Sequence, residues 1–327
     1  MPTIFKTNSD GTITANEVPH INAYLINGPD VFVESRKKPL CNVPIMIKGS
    51  QPTDNGNLIL SPTERDELIK KCPSAEKYIR RFIGSEEFIN NKIRYCLWLV
   101  DCTPAELRKM PPVYERVKNV KQFRLQSKKA ATRKWADKSW LFTENRQPKT
   151  DFVVVPAVSG ESRKYIPMGF MTPDIIVSNL VSFIPNGNLY LFGLLNSVVH
   201  MAWMRIVAGR LGISYRYSGT LVYNNFPFIN TDSNRRAKIE AAAQAILDAR
   251  AKYPDSSLAD LYDENVMPAE LRAAHRANDF AVMDAYGYPD SWYDDEEKIV
   301  VDLLFRYEAL TIGGPKSRIA AISRKNF

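Results

Sequence analysis

Short apolar runs dominate the start of the chain. "INAYLI", "DVFVES", "NVPIMI" and "NLILS" are parted by Gly, Pro, Asn and Asp between residues 21 and 60, which predicts strands and turns. Residues 1–20 are polar and weakly patterned, as a tail or linker would be. In "SPTERDELIKKCP" Ser61 is placed to cap a helix, with Pro62 at its first position, Glu64 completing a capping box and Pro73 ending it. "SAEKYIRRFIGSEEFIN" predicts a second helical stretch, "RYCLWLV" a strand, and the segment from Pro104 to about Asn119 a further helix. Strand signals return at "DFVVVPAVSG" and "PDIIVSNLVSFIP", β-branched runs bounded by Ser, Gly and Pro.

From Leu189 the period changes. Leu191, Leu194, Leu195, Val198, Val199, Ala202 and Ile206 trace one apolar helical face, with Gly209 placed to end it. "GRLGISYRYSGTLVYNNFPF" follows at 209–228, rich in arginine, tyrosine and asparagine. After Thr231 strand signals vanish, and Ala, Leu and charge dominate in "RRAKIEAAAQAILDARAKY" and the segments beyond it, an all-helical texture. The last residues, "GGPKSRIAAISRKNF", read as a flexible basic end. The pattern is α+β: a mixed α/β domain with a twisted sheet and packed helices over 21–231, a small all-α domain over 232–312, and a tail over 313–327.

Charge divides along the same boundary. Residues 1–231 carry 31 Lys and Arg against 19 Asp and Glu, whereas residues 232–327 carry 13 against 17. A basic region of this size favours polyanions through counterion release. Its most basic part, "KQFRLQSKKAATRKWADKSW", interleaves Lys121, Arg124, Lys128, Lys129, Arg133, Lys134 and Lys138 with Phe123, Trp135 and Trp140. That mixture suits nucleic acid, and equally a solvated helix with a half-buried aromatic edge.

Catalytic signatures are missing. The sequence has no Gly-rich phosphate loop, no GxSxG, no HExxH, and no Asn-Pro-Pro-Tyr or FxGxG of an adenosylmethionine-dependent methyltransferase. Asp30 and Glu34 in "PDVFVESRKK" imitate a metal nuclease, but the spacing is short and Arg36 holds the place of the lysine. The acids of "WYDDEEK" suit a helix start. Cys41, Cys72, Cys96 and Cys102 form no CxxC pair, and His20, His200 and His275 are too scattered for the usual zinc patterns. Reduced thiols and the interruption of the apolar stretch 189–208 by Asn196, His200 and Arg205 point to a cytoplasmic protein with no membrane span.

Several idiosyncratic strings closely resemble the C-terminal part of the MmeI-like (type IIL) restriction-modification enzymes. They are "GPDVFVESRKKPLCNVP" (28–44), "GSQPTDNGNLILS" (49–61), "RRFIGSEEFINNKIRYCLWL" (80–99), "SRKYIPMGF" (162–170), "YRYSGTLVYNNFPF" (215–228) and "LADLYDENVMPAELRAAHRANDFAVMDAYG" (258–287). The resemblance implies a DNA target-recognition domain over 21–231 and a helical domain over 232–312, with residues 1–20 as the linker from a methyltransferase. It implies a non-catalytic fragment of a longer bacterial chain. The other parts of that chain, an endonuclease and an adenine-specific methyltransferase using Mg²⁺ and S-adenosylmethionine, would be its partners beside double-stranded DNA, near the nucleoid.

Direct readout of duplex DNA needs forked donors for guanine and amide pairs for adenine. Arg216, expected between a helix and a strand, is placed to read a base edge, with phosphate contact as its rival. By resemblance Gly212 and Ser214 are variable specificity positions, and a plain loop is the alternative. Asn179 and Leu180 interrupt a strand-like run and are a second reading position by resemblance; asparagine suits adenine, and closing a turn is the other reading. Arg163, Lys164, Arg210, Lys48, Lys128, Lys129 and Arg133 are phosphate candidates. The alternative function is a protein-interaction adaptor whose acidic helical end docks a partner while the basic face is incidental.

Overall fold

A computed structural model of the chain describes residues 1–7 and 10–311. Residues 1–20, expected as a tail or linker, contain an antiparallel hairpin, Thr3–Thr7 with Ile13–Glu17. The expected tail at 313–327 lies outside the described residues.

Three sheets build the body. Ile176–Val177, Ile79–Ile83, Tyr95–Leu97 and Ile59–Leu60 form one, in that order, its first pair parallel and the others antiparallel. Ile47–Lys48, Val181–Pro185, Phe152–Pro156 and Gly169–Met171 form a second, antiparallel throughout. Gly209–Leu211, Ser214–Arg216 and Val158–Ser159 make a third, antiparallel and smaller. The segment 176–185 passes from the first sheet to the second, turning at Ser178-Asn179-Leu180. Gly49 lets the backbones meet there, since a Cβ on it would lie 2.2 Å from the Ser178 carbonyl oxygen.

The local signals for helix starts hold where side-chain chemistry decides. Ser61 and Glu64 close a capping box on Pro62–Lys71, as do Thr103 and Glu106 on Pro104–Arg108. Four expectations fail, the first being the strands read in "INAYLI" and "DVFVES", where the backbone forms none. The helix foreseen from Pro104 to about Asn119 is two, because Pro111 and Pro112 cannot continue the first and instead start Pro111–Leu125. "IRRFI" within the second helical stretch is the strand Ile79–Ile83, between a 3₁₀ turn, Pro73–Tyr78, and the short helix Ser85–Ile89. The long helix ending at Gly209 is also two, Leu189–Leu195 and Val198–Val207, bent by 54°. Ser197 caps the second, and the buried Asp279 carboxylate accepts the Val198 N–H at 2.7 Å. Gly209 then opens a strand.

The main core joins the helix pair 189–207, the segment 215–226 and the C-terminal helices Ser233–Ala251, Ala269–Tyr286 and Glu296–Thr311. Trp203, wholly buried, packs near Phe226 and Tyr307, one residue from each side of position 231. Polar bonds cross the same boundary: Tyr165 Oη donates to Asp279 at 2.5 Å, and Asn278 Nδ2 to the Gly193 carbonyl at 2.9 Å. A second core, around Pro62–Lys71, Pro111–Leu125 and the first sheet, forms a separate lobe. No single helix among the described residues is long and apolar enough to cross a membrane, and the bent pair 189–207 that passes by composition sits in the main core.

Candidate nucleic-acid interface

The hairpin 209–216 turns in two residues, Gly212 and Ile213, with Leu211 opposite Ser214. Gly212 has φ +59° and Ile213 is not left-handed, the pattern of a type II′ turn, whose twist suits a two-residue hairpin. Alternation along Ser214-Tyr215-Arg216 sends Tyr215 inward, where it is buried, and turns Ser214 and Arg216 to the other face. Arg216 is exposed, and Gly209, its neighbour across the strand pair, has no side chain to cover it. Its guanidinium has no partner among the described residues. The expected helix-to-strand junction is therefore corrected: Arg216 ends a strand in the third sheet.

The residues after Arg216 anchor it. Tyr217 is buried, and its hydroxyl shares a hydrogen bond with His200 Nε2 at 2.8 Å. Burial without a counter-charge holds the His200 imidazole down at about 3, so it stays neutral. A single π-helical turn, Gly219–Tyr223, comes next, and Trp203 Nε1 donates to its Val222 carbonyl at 3.0 Å. Asn224 and Asn225 are buried and hold backbone.

A relay of hydrogen bonds ties this strand to the turn at Ser178-Asn179-Leu180. The Tyr217 N–H donates to the Ala157 carbonyl at 2.9 Å, the Ala157 N–H to Ser85 Oγ at 3.3 Å, and Ser85 Oγ to the Leu180 carbonyl at 2.7 Å. Asn179 is fixed through its backbone N–H to the Ser50 carbonyl at 2.9 Å, while its carboxamide has no partner among the described residues. Leu180 is 57% exposed, and Leu211 and Ile213 on the hairpin are 59% and 78% exposed. Arg216, Ser214, Gly212, Asn179 and Leu180 thus share two linked elements. Free forks, a free carboxamide and apolar tips are the groups that meet base edges and thymine methyls.

The phosphate candidates scatter. Lys48 is exposed on the strand paired to Ser182, beside the Asn179–Leu180 turn. Arg210 is tied to its hairpin: it pairs with Glu161 at 3.3 Å and lies 3.8 Å from the Tyr215 ring centre. Arg163, half-buried on the loop after Val158–Ser159, is held below the ordinary arginine range by burial, with Asp263 in partial compensation. Lys164 turns toward the C-terminal helices, donating to Tyr293 Oη at 2.9 Å and sitting over that ring. Lys128, Lys129 and Arg133 are exposed on the lobe of the second core, where Arg133 donates to the Ser127 and Lys128 carbonyls. Arg124, part of that basic run, is wholly buried. No group of three or more His, Cys, Asp or Glu among the described residues could hold a metal ion.

Two features escape a reading of the sequence: Ser85, which bridges the two elements, and the run Arg36-Lys37-Lys38, half-buried at Arg36 and exposed at both lysines, whose arginine counts there only against a nuclease motif. Ser85 carries no sequence signal beyond its place after Gly84; the basic run is in plain view.

Comparison with known proteins identifies the family. The family model for the MmeI target recognition domain matches residues 27–230, and that for the MmeI C-terminal domain matches residues 231–313. DNA methyltransferase A of Bacillus subtilis (strain 168) is 40% identical over 298 residues, which are 91% of this chain and 34% of that protein. The structure of the type IIL restriction-modification enzyme MmeI in complex with DNA superposes with a TM-score of 0.88 at 42% identity, covering 95% of this chain and 41% of that one. The chain therefore spans well under half the length of these relatives. With both of its parts matched in order by models of one protein, the chain belongs to the MmeI family.

Proposed function

We propose that this chain reads a short duplex DNA sequence in the major groove and performs no chemistry itself. Arg216 contacts a guanine edge, Asn179 and Leu180 a neighbouring base pair, and Ser214 and Gly212 leave room for a third. Lys48, Arg163 and Arg210 supply backbone charge around them, and Lys128, Lys129 and Arg133 a more distant contact. The observation that carries this reading is a free, exposed guanidinium on a braced strand, hydrogen-bonded through Ala157 and Ser85 to the turn bearing a free carboxamide. Preorganised forks of this kind discriminate by about 1–3 kcal/mol per base pair.

The relatives include a DNA methyltransferase and a restriction-modification enzyme of which this chain covers only a part. We therefore read it as the specificity module of a bacterial cytoplasmic enzyme, acting at the nucleoid. S-adenosylmethionine and Mg²⁺ would serve the adenine methylation and cleavage carried out by other domains of such an enzyme.

Selection from a random duplex pool, followed by titration at several salt concentrations, tests this. Enrichment of one short sequence, with affinity falling steeply in salt, is the expected result. Equal, sequence-independent binding to all duplexes would sink the proposal in favour of an adaptor.

A further inference from the structure

The segment 31–41 contains three consecutive cations, Arg36-Lys37-Lys38, on a backbone held unusually firmly. Val31 and Val33 anchor it in the main core. Beyond them Asn225 Nδ2 donates to the Glu34 carbonyl at 2.8 Å, and the Arg36 N–H to the Thr220 carbonyl at 2.8 Å. Asn224 Nδ2 then donates to the Arg36 carbonyl at 2.7 Å, and the Leu40 N–H to the Asn224 carbonyl at 2.8 Å. Asn224 and Asn225 are 3% and 0% exposed. Burying two carboxamides costs free energy unless their bonds do something; here they fix the backbone leading into Lys37 and Lys38, and the Asn224 main-chain carbonyl holds it on the far side.

Both lysines are exposed and meet no carboxylate among the described residues. Arg36 is braced from behind, Nε donating to Asn225 Oδ1 at 3.3 Å, which leaves both terminal nitrogens of its fork unengaged. The strap meets Thr220, four residues beyond Arg216. Four residues span at most about 14 Å, and phosphates recur every ~3.4 Å of axis along one strand. A phosphate within about four base pairs of the one beneath Arg216 is therefore in reach.

We infer that Arg36, Lys37 and Lys38 form a phosphodiester-binding strap that grips the DNA backbone beside the base pair read by Arg216, with Asn225 as a positioning residue for the Arg36 fork. This rests on the DNA-reading proposal above. Arg36 supplies the two-pronged contact that fits a phosphate, and the lysines add point charges.

The test uses the whole chain and a duplex enriched from the random pool. Lys37→Ala/Lys38→Ala should weaken binding equally for that duplex and for its base-substituted versions, and should lower the slope of log affinity against log salt by about 2. Arg36→Lys should keep the slope and still lose affinity, because the charge remains and the fork does not. Arg216→Ala, measured alongside, should change base preference and leave the slope nearly intact. An unaltered slope in the double lysine variant, or a change of preference at one base pair, would overturn the strap while leaving the DNA-reading proposal standing. Failure of the unmodified chain to bind any duplex would overturn both.

Discussion

The basic stretch 121–138 and the hairpin 209–216 carry the same kinds of side chain and use them in opposite ways. Arg124 is 0% exposed, and its three guanidine nitrogens donate to the carbonyls of Pro52, Thr53, Trp135, Lys138 and Leu141. Burial pulls it down to about 10, still protonated at neutral pH, and it gathers two loops around one charge. Arg216 is exposed and uncommitted on a rigid strand. The C-terminal helices show a third pattern: Arg235, Arg236, Arg272, Lys298 and Arg306 each pair with a carboxylate. Charge along a sequence therefore measures neither binding nor structure until each cation's partners are known.

Replacing Arg124 is the most severe way to probe that contrast. Arg124→Met should orphan five carbonyls and cost at least about 3 kcal/mol of stability by urea denaturation, at about 1–3 kcal/mol per unsatisfied group. Arg216→Ala should do the reverse, sparing stability within about 0.5 kcal/mol. Competition among base-substituted duplexes should then show relaxed preference at one base pair and a loss of about 1–3 kcal/mol for the preferred site. Uniform weakening would reassign Arg216 to phosphate.

Acid tests the anchor behind the hairpin. Between the unfolded value of 6.5 and the folded value of about 3, the unfolded chain takes up a proton that folded His200 refuses, so stability falls as pH drops through that window. His275, also pulled down mainly by burial, adds in the same direction. Asp279 opposes them: burial raises its carboxyl from 3.8 to about 7, so the folded chain holds that proton and loses stability as pH rises across the range. Two imidazoles against one carboxyl leave a net loss of stability on acidification below 6.5. His200→Gln should flatten that limb in urea titrations across pH. The smallest effect belongs to Ser85→Ala, about 1 kcal/mol of stability. Combined with Arg216→Ala in a double-mutant cycle on DNA affinity, it should give a coupling of at least about 0.5 kcal/mol. Strict additivity would mean that the relay does not join the two reading elements.

Much of this is legible in the sequence where a local rule governs. The capping boxes at Ser61 and Thr103, the strands at 152–156 and 181–185 and the helix Ser233–Ala251 follow from side-chain chemistry within a few residues. The features that escape depend on distant partners. The break at Asn196-Ser197 is stabilised by Asp279 from another helix, and "IRRFI" becomes a strand because Tyr95–Leu97 and Ile176–Val177 flank it. Arg216 and Asn179 stand out by residue type and by resemblance. Their linkage runs through Ala157 and Ser85, whose identities carry no signal.

Trp203 and Asp279 have a practical consequence for anyone recombining these proteins. Because hydrophobic packing and buried hydrogen bonds run across position 231, a chimera joined there would pair two half-surfaces that had never met, and every mismatch would open a void or strand a polar group. On the reading proposed above, the hairpin 209–216 and the turn 178–180 are the small inserts to transplant, while the shared interior is inherited whole from a single donor.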